Sequence, residues 1–218
     1  MSPIPAPLLP ETRRALGQVG PDVWHHAGRP QQLRAQCEAS LRRLRVDTID
    51  LYQLHRIDPE VPLAEQLGAL TELQQAGKIR HVGVDTVTAD ELERCLAEAT
   101  IASVQNRYNL IDRDSERVLA MCQERGIAFL PWFPLGKGSL TTCGEGGHLR
   151  TIAEVAQRHA ATASQIALAW LLQHAPVILP TPGTASLAHL DENLDAAGIT
   201  LDTEDVRQLD ALTAPARS

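Results

Sequence analysis

Aromatic side chains make up only 3% of this 218-residue chain, and its phenols number two, Tyr52 and Tyr108. Chemistry that needs a tyrosine hydroxyl therefore has two candidates. No apolar run reaches the ~18–20 residues that cross a bilayer, and the N-terminus lacks the basic-then-apolar pattern of a signal peptide. Paired cysteine spacing is missing too: Cys37, Cys95, Cys122 and Cys143 stand far apart. The first three fall at apolar positions of helical patterns, so they read as reduced core residues of a cytoplasmic protein. Positive charge is not in excess either. A formal net charge of −7 argues against a nucleic-acid binder or a protein of anionic membranes. There is no GxGxxG and no Walker-type phosphate loop, and His25, His26 and His148 lack metal-ligand spacing, so no metal site is expected.

What remains is an ordinary globular composition, 44% hydrophobic and 22% charged, in a length that suits one domain. Residues 1–29 form a Pro-rich leader, with five prolines in the first 28 residues and no sustained period. Regular alternation begins at Pro30 and fills residues 30–218. A helix with the stripe Leu33, Cys37, Leu41 and Leu44 precedes an apolar strand, Ile49 to His55. Further strands are expected at 81–85, 102–106, 128–133 and 176–180, with helices between them. Gly77 and Gly126 mark helix ends, and Thr88 with Glu91 forms a capping box. Strands apolar on both faces that alternate with helices belong to a parallel sheet wrapped by helices. Polar, aromatic or glycine residues stand at the carboxyl ends of the strands: His55, Asp85, Gln105, Trp132 and Gly183. A barrel of the TIM type builds its active site from such ends. Closure takes eight strands and the sequence supplies about five, so the expected fold is an incomplete (β/α) barrel. Its uncovered edge predicts a homodimer or a partner protein. The glycine loop 136–147 is expected to act as a lid over the barrel mouth.

Several motifs, in order, resemble the aldo-keto reductase family. They are Ser40–Leu44 with Val46–His55, Gly77–Val84, Val104–Asn109, and Pro180–Thr184 through Asp191–Asn193. The resemblance is to an N-terminally truncated member lacking the first barrel units. It implies (β/α)₈ ancestry and NADPH-dependent reduction of a carbonyl. By the same resemblance, His55 matches the histidine that hydrogen-bonds the substrate carbonyl, Gln105 the residue that binds the nicotinamide carboxamide, and Trp132 the aromatic stacked on the nicotinamide ring. Gly183, Thr184, Glu192 and Asn193 match the segment that holds the adenine nucleotide.

The family's catalytic tyrosine has no match, and counting back places Arg13 near the position of its lysine. Asp85 and Thr86 stand where the family usually has a serine followed by Asn or Glu. Tyr52 and His55 are three apart on one strand and therefore face opposite ways. The carboxylate of Asp85 at a strand end has little packing purpose, which marks it as a general base or an electrostatic partner of His55. Because the histidine is kept without its redox-specific proton donor, the first expectation is non-redox acid/base chemistry. Dehydration, isomerisation, elimination or cyclisation of a small carbonyl compound would use His55 and Asp85 and require no cofactor. The alternative is an NADPH-dependent carbonyl reductase completed by another chain. A third reading is a non-catalytic binding subunit.

Overall fold

The computed structural model describes residues 16–20, 23–136, 140 and 147–212, with the side chains of 27–136, 140 and 148–212. The chain divides into two compact units, residues 1–104 and 105–218.

In the first unit, strands β1 (Leu16–Gly20) and β2 (Val23–His26) pair antiparallel, with a register shift between Gln18 and Gly20. The leader thus carries a hairpin where the sequence shows no regular element. Strands of five and four residues are too short to display a period. Helix α1 (Pro30–Leu44) starts on a proline, which suits a first helical position because that N–H has no helical partner anyway. It buries Leu33, Cys37 and Leu41, carries Arg42 and Arg43 in its last turn, and ends on a left-handed Arg45. The arginines stand at the negative end of the helix dipole, which favours positive charge there.

Strand β3 (Ile49–Leu54) pairs in parallel with β4 (Ile79–Asp85), from Ile49 opposite Ile79 to Leu54 opposite Val84. Strand β5 (Ile101–Gln105) lies on the other side of β4. Helices α2 (Leu63–Gln75) and α3 (Ala89–Glu98) connect them, and α2 packs on α1, α3 and β4. Leu67, Leu70, Val82, Val84 and Leu92 are fully buried in this layer. On the opposite face of the sheet, Gln53 Nε2 donates to Ser103 Oγ at 3.2 Å. That bond passes over Gly83. A Cβ on Gly83 would come within 2.8 Å of Gln53 Cγ and closer still to Ser103 Oγ, so the strand needs glycine for this approach.

In the second unit, α4 (Glu116–Arg125) stops at Gly126 with φ of 67°, the left-handed cap that glycine accepts most readily. Strand β6 is only Ala128–Phe129, shorter than the expected 128–133. Pro131 has no N–H to give a ladder, and pairing resumes at a single parallel bridge between Arg107 and Trp132. The strand expected at 176–180 contracts likewise. Flanked by Pro176 and Pro180, it keeps one parallel bridge, Phe129 to Ile178, made by the bonds Phe129 N–H to Val177 O and Leu179 N–H to Phe129 O, both 2.8 Å. Helices α5 (Gly147–Arg158), α6 (Ala163–His174), α7 (Leu187–Asp195) and α8 (Thr203–Asp210) follow, with a 3-10 turn at Ala196–Gly198 before α8. Helix α6 packs against α5 and α7, and α8 packs against α5. No described helix is long and apolar enough to cross a membrane.

Candidate active site

His55 follows β3 immediately, two residues beyond Gln53. Its side chain is 23% exposed, and its Nδ1 is buried. Nε2 lies 3.5 Å from Oδ2 of Asp85, the last residue of β4, whose side chain is 8% exposed. The next residue, Thr86, has φ of 53°, a left-handed backbone that costs a β-branched residue about 1–3 kcal/mol. In that conformation its Oγ1 donates to Asp85 Oδ1 at 2.5 Å. The structure thus brings together the two catalytic candidates of the sequence and adds a third residue, Thr86. No hydrophobic period or motif marks a backbone angle, so sequence reasoning passes it by. Tyr52 faces α1, as its three-residue offset from His55 expects. It is buried, and that burial, with Cys37 nearby, pushes its phenol pKa well above the ordinary range.

In the second unit, Gln105 closes β5 and is nearly buried. Among the described residues nothing hydrogen-bonds its side-chain carboxamide, an exposed need in a buried amide. Its neighbour Asn106 is committed to the fold: its side chain donates to Ser115 Oγ and its carbonyl accepts from Trp132 N–H. The Trp132 ring is half-buried, with Phe133 edge-on at 4.7 Å and the Arg107 guanidinium 5.9 Å from its centroid. Gly183 and Thr184 are exposed and lead into α7, whose Ser186 cap accepts from His189 N–H. Glu192 and Asn193 are partly exposed on that helix, and the Glu192 carbonyl accepts from Gln165 Nε2. Arg13, Lys137 to Ser139 and Thr141 to Gly146, the bulk of the expected lid, lie outside the described residues.

Tyr108 belongs to a different network. It is fully buried, stacked 6.1 Å from Trp170 and edge-on to Phe129. Its hydroxyl donates to Glu116 Oε2 at 2.6 Å and lies 2.9 Å from His174 Nε2. Burial and the Glu116 carboxylate push its pKa far up. The second phenol is therefore a buried tie among α4, α6 and the chain after β5.

Parallel strands joined by helices, with polar side chains at strand carboxyl ends, are the build of an α/β protein of the TIM-barrel type. Residues 18–214 match the aldo/keto reductase family model. The chain belongs to that family. It is 44% identical over 203 residues to an uncharacterised oxidoreductase of Schizosaccharomyces pombe, covering 93% of this chain and 65% of that protein. A thermostable aldo-keto reductase solved with the inhibitor epalrestat matches with a TM-score of 0.80 at 38% identity, over 85% of this chain and 67% of its own. An aldo-keto reductase from Klebsiella pneumoniae solved with NADPH matches with a TM-score of 0.75 at 33% identity, over 85% and 66%. The chain thus spans just under two thirds of the length of its curated Schizosaccharomyces pombe relative. These names put the weight on redox chemistry, against the non-redox chemistry and the cofactor-free site that the sequence argument places first.

Proposed function

We propose that this chain takes part in the reduction of a small carbonyl compound by NADPH. The observation that carries the reading is the nearly buried, uncommitted carboxamide of Gln105 at the end of β5. A buried amide of that kind fits the carboxamide of a nicotinamide, whose donor and acceptor it can answer in one plane. When bound, the dinucleotide supplies the hydride. Gln105 holds the nicotinamide amide, and the Trp132 ring lies against the nicotinamide face. Gly183 and Thr184, with the open N–H groups at the start of α7, receive the phosphates, while Glu192 and Asn193 hold the adenosine. The residues fit the dinucleotide itself better than its 2′-phosphate, because 180–195 contain no lysine or arginine and only His189 as a base. His55 donates its N–H to the substrate carbonyl oxygen, and Asp85 keeps the imidazole oriented toward it.

In the same reading the chain works as an assembly, a homodimer or a complex with a partner along the far edge of β3, which pairs with no described strand on that side. Sedimentation velocity tests this, and a monomer at all concentrations removes it.

Titration with NADPH, followed by the emission of the reduced cofactor, tests the central reading. Saturable binding is expected, weakened about tenfold by Gln105→Ala, the loss of roughly 1–2 kcal/mol for a neutral hydrogen-bonding pair. Oxidation of NADPH should then require an added aldehyde or ketone, and His55→Ala should lower kcat/KM by about a hundredfold or more. A chain that binds neither NADPH nor NADH, yet isomerises or dehydrates carbonyl compounds, returns the non-redox reading to first place.

A further inference from the structure

One buried amide of the second unit, Asn109, ties together the segments that flank the Trp132 ring. It is 1% exposed. Its Nδ2 donates to the Phe133 carbonyl at 3.1 Å, while its Oδ1 accepts from the N–H groups of Ile111 at 3.1 Å and Asp112 at 3.0 Å. These partners fix which way round the amide sits, since a flip would set oxygen against oxygen and NH2 against two N–H groups. Each partner bears on the aromatic corner. Phe133 has φ of 55°, left-handed backbone that a bulky residue disfavours and that persists only where its surroundings hold it. Two donors hold its carbonyl, Asn109 Nδ2 and the Gly136 N–H at 2.9 Å. That backbone turns directly after Trp132, whose ring meets the Phe133 ring edge-on at 4.7 Å. On the other limb, Asp112 grips Arg107 Nε at 2.6 Å, and the Arg107 guanidinium lies 5.9 Å from the centroids of both rings, within cation–π reach. One side chain thus secures both the backbone that aims the rings and the turn that holds a cation against them.

We propose that Asn109 is a positioning residue for cofactor binding: it fixes the left-handed Phe133 and, through it, the Trp132 face that receives the nicotinamide. The inference rests on the reductive reading above. Being buried, Asn109 reaches no ligand itself, and it takes part in no proton or hydride step. Its effect is to order the platform before the ligand arrives, so that less freedom is lost on binding. Gln105 closes β5 in the same compact unit, so the two nicotinamide contacts and the residue that positions one of them belong to a single piece of the chain.

Fluorine NMR of protein carrying fluorotryptophan reads the ring directly, without cofactor. The chain has three tryptophans, and the Trp132 signal is assigned by its loss in Trp132→Phe. Asn109→Asp keeps an acceptor for the Ile111 and Asp112 N–H groups but turns a carboxylate oxygen toward the Phe133 carbonyl. In that variant the Trp132 signal should shift or broaden while the Trp170 signal stays. The Kd for NADPH should rise about tenfold, which is what one neutral hydrogen bond can carry. Phe133→Gly supplies the rescue, because glycine holds a left-handed φ without an anchor. In that background Asn109→Asp should raise Kd by about twofold or less. A purely structural Asn109 would lower Tm and leave the Trp132 signal and Kd in place, which overturns the proposal. A loss of affinity that persists in full in the Phe133→Gly background overturns it as well. Should Asn109→Asp not fold, Asn109→Ser asks the same question, since its hydroxyl still serves the turn but is too short to reach Phe133. If the wild type binds neither NADPH nor NADH while the Trp132 signal still moves, the reductive reading and the cofactor role fall together, and the hold of Asn109 on the ring stands.

Discussion

Gly83 sits two residues before Asp85 on β4, and its missing side chain is what lets Gln53 reach Ser103. An alanine there has to displace one of two buried polar groups. Gly83→Ala should therefore cost about 1–3 kcal/mol, the usual penalty for overpacking, with a further loss if the Gln53 amide loses its acceptor. Urea unfolding checks this, and an unchanged midpoint would mean that the sheet yields at that point. Tyr108 supplies the complementary case. Removing its hydroxyl in Tyr108→Phe takes one partner from Glu116 and one from His174, which should cost about 1–2 kcal/mol of stability. NADPH affinity should not change, because the hydroxyl serves the fold. At this scale the sequence shows residue types and positions well. The strand-end positions of His55, Asp85 and Gln105 are legible because strand ends are visible in an apolar pattern. The left-handed Thr86 and the Tyr108–Glu116–His174 cluster are not, since both depend on backbone angles and distant partners that no local spacing encodes.

Elements begin and end where short-range chemistry is strongest, and those points were the most legible. The capping box of Thr88 and Glu91 starts α3 as expected, with Glu91 N–H donating to Thr88 Oγ1 and Thr88 N–H donating to the Glu91 carboxylate. Thr88→Ala should lower stability by about 1 kcal/mol, measurable as a shift in the unfolding midpoint. The prolines that shorten β6 and the 176–180 segment act through a missing donor, so an apolar run read as a whole strand keeps only the pairs its N–H groups can make. Helix α8 shows a different limit. Its Leu209 marks the buried face, but what fastens it is Asp205, which is buried and accepts from Arg158 at 2.5 Å while lying 2.6 Å from His159 Nε2. Burial alone would raise that carboxyl, and the two basic partners outweigh it and hold the pKa below its ordinary value. Asp205 also closes the capping box of its own helix: its carboxylate accepts from the Asp202 N–H at 3.3 Å, while Asp202 Oδ1 accepts from the Asp205 N–H. Asp205→Ala removes the anchor and half of the cap together, and about 2 kcal/mol or more should go with it. If α8 were held by Leu209 alone, the same change would fall within about 0.5 kcal/mol.

For the whole molecule these local shifts set the pH range in which the fold is stable. Among the described residues, three carboxyls are held below their ordinary values by their partners. Glu116 is held down by His174, Glu204 is lowered to about 2 by Arg207 and Gln208, and Asp205 is lowered by His159 and Arg158 against its burial. A group whose folded pKa is depressed adds stability above its unfolded value and loses it as pH falls through the folded one. Acid should therefore begin to weaken the protein as pH drops below about 4.5 and continue toward pH 2. The opposite limb belongs to the thiols. Burial pushes Cys37 and Cys95 up to about 11 and Cys122 up to about 12, and both phenols rise as well. For these acids the folded state keeps its protons longer than the unfolded chain. Their contribution is complete below the ordinary thiol value near 9 and is lost as pH climbs through 11 and 12. Thermal melts across pH should show a plateau bounded by both limbs. Cys122→Ser separates the alkaline cause from general base damage: it replaces the thiol by a hydroxyl that does not titrate in this range, so Tm at pH 7 should fall while the drop from pH 9 to pH 11 becomes smaller. An alkaline drop that keeps its full size in that variant would show that its thiol does not set the limb, and would shift the cause to the phenols.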